Sequence, residues 1–197
     1  MDRAHWILIF YWILYVTLHS LGASAYCKGV IEKLMGAGYA YYRLAYSFFA
    51  LLSLILVLYY QISMPSEQIF NFLHVKYLIG LPVGLTGVFI MWVCSSKYIV
   101  SVSGFFIKRL SNIPQKLETT GIHRLVRHPL YLGTLMLIWS LFLFYPFLKN
   151  LISCGLITAY VIVGIRLEEK KLIIQFGKAY MDYCNKVPGL IIFTKGW

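Results

Sequence analysis

Apolar residues fill five stretches of this chain, residues 5–21, 43–62, 77–95, 130–145 and 151–167, and polar residues gather between and after them. A helix that crosses a bilayer needs about 20 such residues, with about 17–25 the usable range. The second and third stretches meet that length comfortably. The last two are short, and only Pro146-Phe147-Leu148-Lys149-Asn150 separates them, which predicts a tight helical hairpin. Beyond it, Leu167, Leu172, Ile173, Ile174, Phe176, Tyr180 and Tyr183 interleave with Glu168, Glu169, Lys170, Lys171, Lys178 and Asp182. That is an amphipathic helical pattern, with a break expected near Gly177 and an end before Pro188. The expected fold is all-α: a polytopic membrane helical bundle with five transmembrane helices and a cytoplasmic amphipathic C-terminal helix. One domain is expected over residues 1–197, with a three-helix part at 1–120 and a hairpin and tail at 121–197.

Composition agrees with the pattern. The chain is 60% hydrophobic and 13% charged, where a soluble domain is nearer about half apolar and about a quarter charged. Disorder, a disulfide scaffold and a soluble globular domain are thereby excluded. The net charge of +11 would suggest nucleic acid in a soluble chain. In a membrane chain it marks cytoplasmic loops and anionic lipid headgroups, so membrane lipids are the expected partner and nucleic acid is not. With five spans, fifteen of the 18 Lys and Arg residues fall on one side, leaving Arg3, Lys76 and Lys149 on the other. The positive-inside rule then puts the N-terminus outside and the C-terminus in the cytoplasm, as in a bacterial inner membrane.

Ala23-Ser24-Ala25 after an apolar run imitates a signal-peptide cleavage site. The basic region before that run is only Arg3, offset by Asp2, so the segment is expected to stay as a helix. Cys27, Cys94, Cys154 and Cys184 are scattered without metal-ligand spacing, and no metal site is expected. Gly80, Gly84 and Gly87 recur at helical spacing and predict close helix contact, with Pro82 a possible kink between them.

Two polar blocks flank the last hairpin. The first runs Gly121-Ile122-His123-Arg124-Leu125-Val126-Arg127-His128-Pro129-Leu130-Tyr131-Leu132-Gly133. Pro129 suits the first position of a helix, and His128 before it is pushed out of α geometry. A helix start ringed by His123, Arg127 and His128 favours a carboxylate or phosphate; a basic anchor against lipid phosphates uses the same residues. The second block, Arg166-Leu167-Glu168-Glu169, lies where the last span leaves the membrane. Acids there need partners or a task. Glu168 either pairs with Arg127, Arg166 or Lys171, or holds hydroxyl and amine groups of a ligand.

The run Arg127-His128-Pro129-Leu130-Tyr131, the apolar hairpin, Glu168-Glu169, Phe176-Gly177-Lys178-Ala179-Tyr180-Met181-Asp182-Tyr183 and Val187-Pro188 together resemble the isoprenylcysteine carboxyl methyltransferase superfamily. The resemblance covers residues 121–192. Leu18-His19-Ser20 and Tyr41-Tyr42-Arg43-Leu44-Ala45-Tyr46-Ser47 resemble its bacterial branch, which contains methanethiol S-methyltransferases and nitrite-reduction-associated membrane proteins. Membrane sterol reductases also carry Arg-His-Pro-x-Tyr, but they are generally larger, and the Glu-Glu to Val-Pro ending fits the methyltransferases better.

The resemblance implies S-adenosylmethionine as methyl donor and a small thiol or lipophilic acceptor, with S-methylation favoured. Prenylcysteine carboxyl O-methylation, phospholipid N-methylation and a degenerate cofactor- or lipid-binding protein are its alternatives. It makes His123, Arg127, His128, Pro129, Tyr131 and Leu132 the near side of the cofactor pocket. Glu168 and Glu169 form the far side, with Tyr180 and Tyr183 closing it. Arg166 is implied to face the acceptor or to orient Glu169, and Glu169 or His19 to assist catalysis. His19 also has a plain reading, as a hydrogen-bonded packing residue. A thiol must lose its proton before it reacts.

Overall fold

A computed structural model describes residues 1–102 and 117–190. Lys108, Arg109, Lys116 and Lys195, counted above among the basic residues, lie outside that range. Among the described residues the chain is helical, with no β-strand. The helices are α1 (Arg3–Ala23), α2 (Ala25–Met35), α3 (Tyr42–Ser63), α4 (Leu81–Val102), α5 (Pro129–Phe144), α6 (Leu148–Phe176) and α7 (Lys178–Lys186). Four segments are long and apolar enough to cross a membrane: Arg3–Ala23, Gly38–Ser63, Leu73–Ser96 and Leu148–Phe176. The fourth apolar stretch, residues 130–145, forms α5, which at 16 residues is shorter.

Local chemistry sets the boundaries. The Ser24 hydroxyl accepts the Cys27 N–H at 3.1 Å and starts α2 immediately after α1. A π-helical turn over Lys76–Gly80 leads into α4, just before Pro82, which has no N–H to give to a regular α-helix. α6 is longer than its apolar stretch. It runs 29 residues without interruption, about 44 Å at 1.5 Å per residue, because nothing between Glu168 and Phe176 breaks it. The break comes at Gly177, whose φ of 54° suits glycine and turns the chain into α7.

The chain divides into two compact units: Met1–Phe70 with Pro146–Ile157, and Asn71–Tyr145 with Thr158–Trp197. In the first, Leu8, Trp12, Val57 and Met64 form a buried core against which Ile152, Leu156 and Ile157 pack. A polar chain closes it. The Trp12 indole donates to Ser153 Oγ at 2.8 Å, Ser153 donates to Gln61 Oε1 at 2.8 Å, and Gln61 donates to Asn150 Oδ1 at 2.8 Å. Such links fix helix register where apolar packing alone is tolerant.

The second unit is built on α4 against α5. The glycines of α4 meet small residues on α5, so the backbones touch. A Cβ on Gly84 would run into Ser140 Oγ, and one on Gly87 would lie 2.8 Å from the carbonyl oxygen of Gly133. A Cβ on Gly133 would lie 2.9 Å from the Gly87 oxygen and from Met91 Cγ. Ser140 donates to the Gly80 carbonyl at 2.7 Å. Gly133→Ala is therefore expected to force the pair apart and cost about 1–3 kcal/mol, read as a lowered melting temperature in detergent. Gly155→Ala, with nothing within 4 Å of the added atom, serves as the neutral control. Equal melting of the two variants would contradict the contact.

Candidate functional site

Pro129 opens α5, and His128 is its N-cap, with φ −119° and ψ 62°. The His128 carbonyl accepts the Leu132 N–H at 3.0 Å, so Leu132 contributes through the helix's first regular bond. No side chain caps this end. The N–H groups of Leu130 and Tyr131 belong to the first turn and have no acceptor within the helix. This end of the helix borders a cavity of about 190 Å³ lined by Cys94, His123, Arg127, His128, Pro129, Leu130, Tyr131 and Glu168. Every one of those residues belongs to the second unit.

Arg127 does not offer its charge to this cavity. Its Nε and Nη2 donate to Glu169 Oε1 at 2.9 and 2.6 Å. Its Nη1 donates to the carbonyls of Cys184 at 3.1 Å and Val187 at 2.5 Å. The main chain continues the same junction: the Arg127 N–H donates to Pro188 O at 2.9 Å and the His128 N–H to Gly189 O at 3.1 Å. The guanidinium side chain is 2% exposed. Burial alone would pull its pKa down, but the hydrogen bonds and charge of Glu169 more than reverse that, so it stays charged. Arg127 is thus the clamp that holds α6, the start of α5 and the tail together.

His128 completes the arrangement. Its Nε2 lies 3.0 Å from Glu169 Oε1, and its Nδ1 lies 4.0 Å from Glu168 Oε2. The Tyr131 ring lies 5.9 Å from the imidazole, and its hydroxyl lies beside the Glu168 carboxylate. The two acids of the Glu-Glu pair therefore differ. The Glu169 side chain is 15% exposed and committed to Arg127 and His128, whereas that of Glu168 is 45% exposed at the cavity.

The tail supports this wall from outside the cavity. Tyr183 donates to the His123 carbonyl at 2.6 Å. Burial pushes its pKa up to about 12, which keeps it a donor. His123 Nδ1 lies 3.3 Å from the Arg127 carbonyl and, facing an acceptor, carries the proton. Tyr180 is 1% exposed, and its hydroxyl finds no hydrogen-bond partner among the described residues. Tyr180 and Tyr183 are thus buried supports and not lining residues.

Arg166 is exposed on α6 and does not line the cavity. His19 lies in the first unit. Its Nδ1 is 3.0 Å from the Tyr46 hydroxyl, which donates to the His19 carbonyl at 2.8 Å, and its ring stacks on Tyr15. The sequence reading missed Cys94, a lining residue contributed by α4 with no neighbouring motif. It also missed the carbonyls of Cys184, Val187, Pro188 and Gly189, which carry no side-chain signature.

Helices of membrane-spanning length define an integral membrane protein, with a small cavity at the start of one helix. The chain belongs to the NnrU protein family, which matches residues 7–189. It is 37% identical over 82 residues to the methanethiol S-methyltransferase of Crocosphaera subtropica, covering 41% of this chain and 31% of that one. Methanethiol S-methyltransferase 2 of Bradyrhizobium diazoefficiens is 37% identical over 79 residues, 39% of this chain and 29% of its own. The methanethiol S-methyltransferase of Pseudomonas deceptionensis is 34% identical over 76 residues, 38% and 28%. The matched part spans less than a third of the length of each of these relatives. No solved structure matches the chain.

Proposed function

We propose that this chain is a membrane methyltransferase that uses S-adenosylmethionine to methylate a small thiol. The observation that carries the reading is the cavity at the open start of α5, faced by the Glu168 carboxylate. Its chemistry suits one end of that donor. The N–H groups of Leu130 and Tyr131 suit a methionyl carboxylate, and Glu168 suits an ammonium or ribose hydroxyls. At about 190 Å³ the cavity takes part of such a molecule, since sites for whole ligands run to about 300–1,000 Å³. The anion-binding role passes from Arg127, whose guanidinium serves the clamp, to the α5 backbone. When bound, the donor supplies an electrophilic methyl group, and the protein has to align the acceptor with it and exclude water.

The thiol acceptor is supported by the names of the relatives. In this reading α5, about 24 Å long at 1.5 Å per residue, is a fifth, short span. The N-terminus lies outside, and the C-terminus lies in the cytoplasm of a bacterial inner membrane, where the methyl donor is. Protein purified in detergent and given radiolabelled S-adenosylmethionine with methanethiol is expected to yield dimethyl sulfide. A methyl ester from a prenylcysteine, with no thioether from any thiol, would overturn the assignment.

A further inference from the structure

α2 is held at both ends by segments of spanning length. Arg3–Ala23 precedes it and Gly38–Ser63 follows it, which leaves residues 24–37 between them. α1 and α3 run antiparallel: the Tyr60 hydroxyl donates to the Ala4 carbonyl at 3.2 Å, and the Tyr46 hydroxyl to the His19 carbonyl at 2.8 Å. The end of α1 and the start of α3 therefore lie at the same face of the bilayer, with α2 between them. Its 11 residues are about 16 Å long at 1.5 Å per residue. Residues 36–37 reach back at most about 7 Å. The helix cannot stand away from the bilayer and return in that distance, so it lies along the surface.

The residues of α2 suit that place. At about 100° per residue, Tyr26, Val30, Leu34, Cys27, Ile31 and Met35 make one continuous apolar arc, and Lys28, Glu32, Gly29 and Lys33 make the other. Cys27 and Ile31 are half-buried, with Cys27 Sγ 3.7 Å from the Tyr42 hydroxyl. Tyr26 and Leu34, on the rest of the apolar arc, are 83% and 79% exposed. The two lysines stand at the borders of the arcs, Lys28 beside Met35 and Lys33 beside Tyr26, and Glu32 stands between them on the polar side. Border lysines lay their stems on apolar surface and carry their ammonium groups to the level of the phosphates. We propose that α2 is a lipid-binding helix that seats Tyr26, Val30 and Leu34 among the acyl chains and holds anionic phospholipid headgroups with Lys28 and Lys33. The occupant is the bilayer that α1 and α3 cross, because the apolar arc continues the surface those helices present to lipid. In the orientation proposed above, this is the cytoplasmic leaflet. The surface does not depend on the methyl-transfer chemistry, and its test needs no turnover.

The test places the photocrosslinker p-benzoylphenylalanine at Tyr26 or at Leu34 of the full chain, in bilayers of equal parts phosphatidylcholine and phosphatidylglycerol. The same group at Leu56, which is 60% exposed on α3, serves as the reference. Mass spectrometry of the adducts identifies what each position touches. Lipid adducts are expected at all three positions, with the ratio of phosphatidylglycerol to phosphatidylcholine about fivefold or more higher at Tyr26 and Leu34 than at Leu56, since each lysine near an anionic surface favours it by about that factor. Lys28→Gln with Lys33→Gln is expected to bring that ratio down to the Leu56 value, and Glu32→Gln to raise it. All three side chains are exposed, so these variants leave the fold in place. Adducts at Tyr26 and Leu34 to a second copy or to another protein, or no adduct there while Leu56 reacts, would overturn the seating of α2 in lipid. A ratio that equals the Leu56 value, or that survives loss of both lysines, would overturn the headgroup assignment.

Discussion

Arg127→Ala is expected to destabilise the second unit by about 3–5 kcal/mol, the usual cost of stripping one partner from a buried pair. The loss has three parts. Glu169 keeps a buried carboxylate without its cation, the carbonyls of Cys184 and Val187 lose their donor, and the tail loses its anchor. S-adenosylmethionine binding is expected to vanish with the fold of the junction, since His128 and the start of α5 are held by the same clamp. Arg127→Lys is not expected to rescue it, because one ammonium cannot reproduce a planar fork serving two sides at once. Thermal melting in detergent and protease sensitivity between Gly177 and Gly189 measure the effect. A variant with wild-type melting and a resistant tail would show that the clamp carries no weight.

Glu168→Ala is expected to do the opposite: to leave melting unchanged and weaken S-adenosylmethionine about 10- to 100-fold, as for loss of a charge-assisted hydrogen bond. The physical ground is its exposure. With the side chain 45% open and the nearest imidazole nitrogen 4.0 Å away, Glu168 contributes little to the fold. Calorimetry on the purified protein separates the two acids. Unchanged affinity in Glu168→Ala would place the donor elsewhere, while lowered melting would mark Glu168 as structural.

Much of the site could be read in the chain because it is local. Pro129 cannot donate a backbone hydrogen bond, and that alone places the start of α5 and its open N–H groups. The break at Gly177 follows from the one residue there that accepts φ of 54° without strain. The four segments of spanning length were legible because apolar length is a composition property, and the end of α5 because Pro146 follows it. Gly84 and Gly87 announced a close contact, and only the fold revealed Ser140 and Gly133 on the other side of it.

The division of labour between neighbouring residues was not legible. Glu168 and Glu169 are chemically identical and adjacent in sequence. On a helix they point about 100° apart, so one turns to Arg127 and His128 and the other to the cavity. Arg127 looked like a ligand for an anion because an exposed guanidinium would be one. Folding instead brings four tail residues, from Cys184 to Gly189, onto it and onto His128, and main-chain carbonyls have no letter in a sequence. The chain by itself therefore determined the long apolar helices, the start of α5 and the kind of chemistry gathered at one end. The tertiary structure decided which charges are spent on the fold and which remain for a ligand, because that depends on partners far apart along the chain.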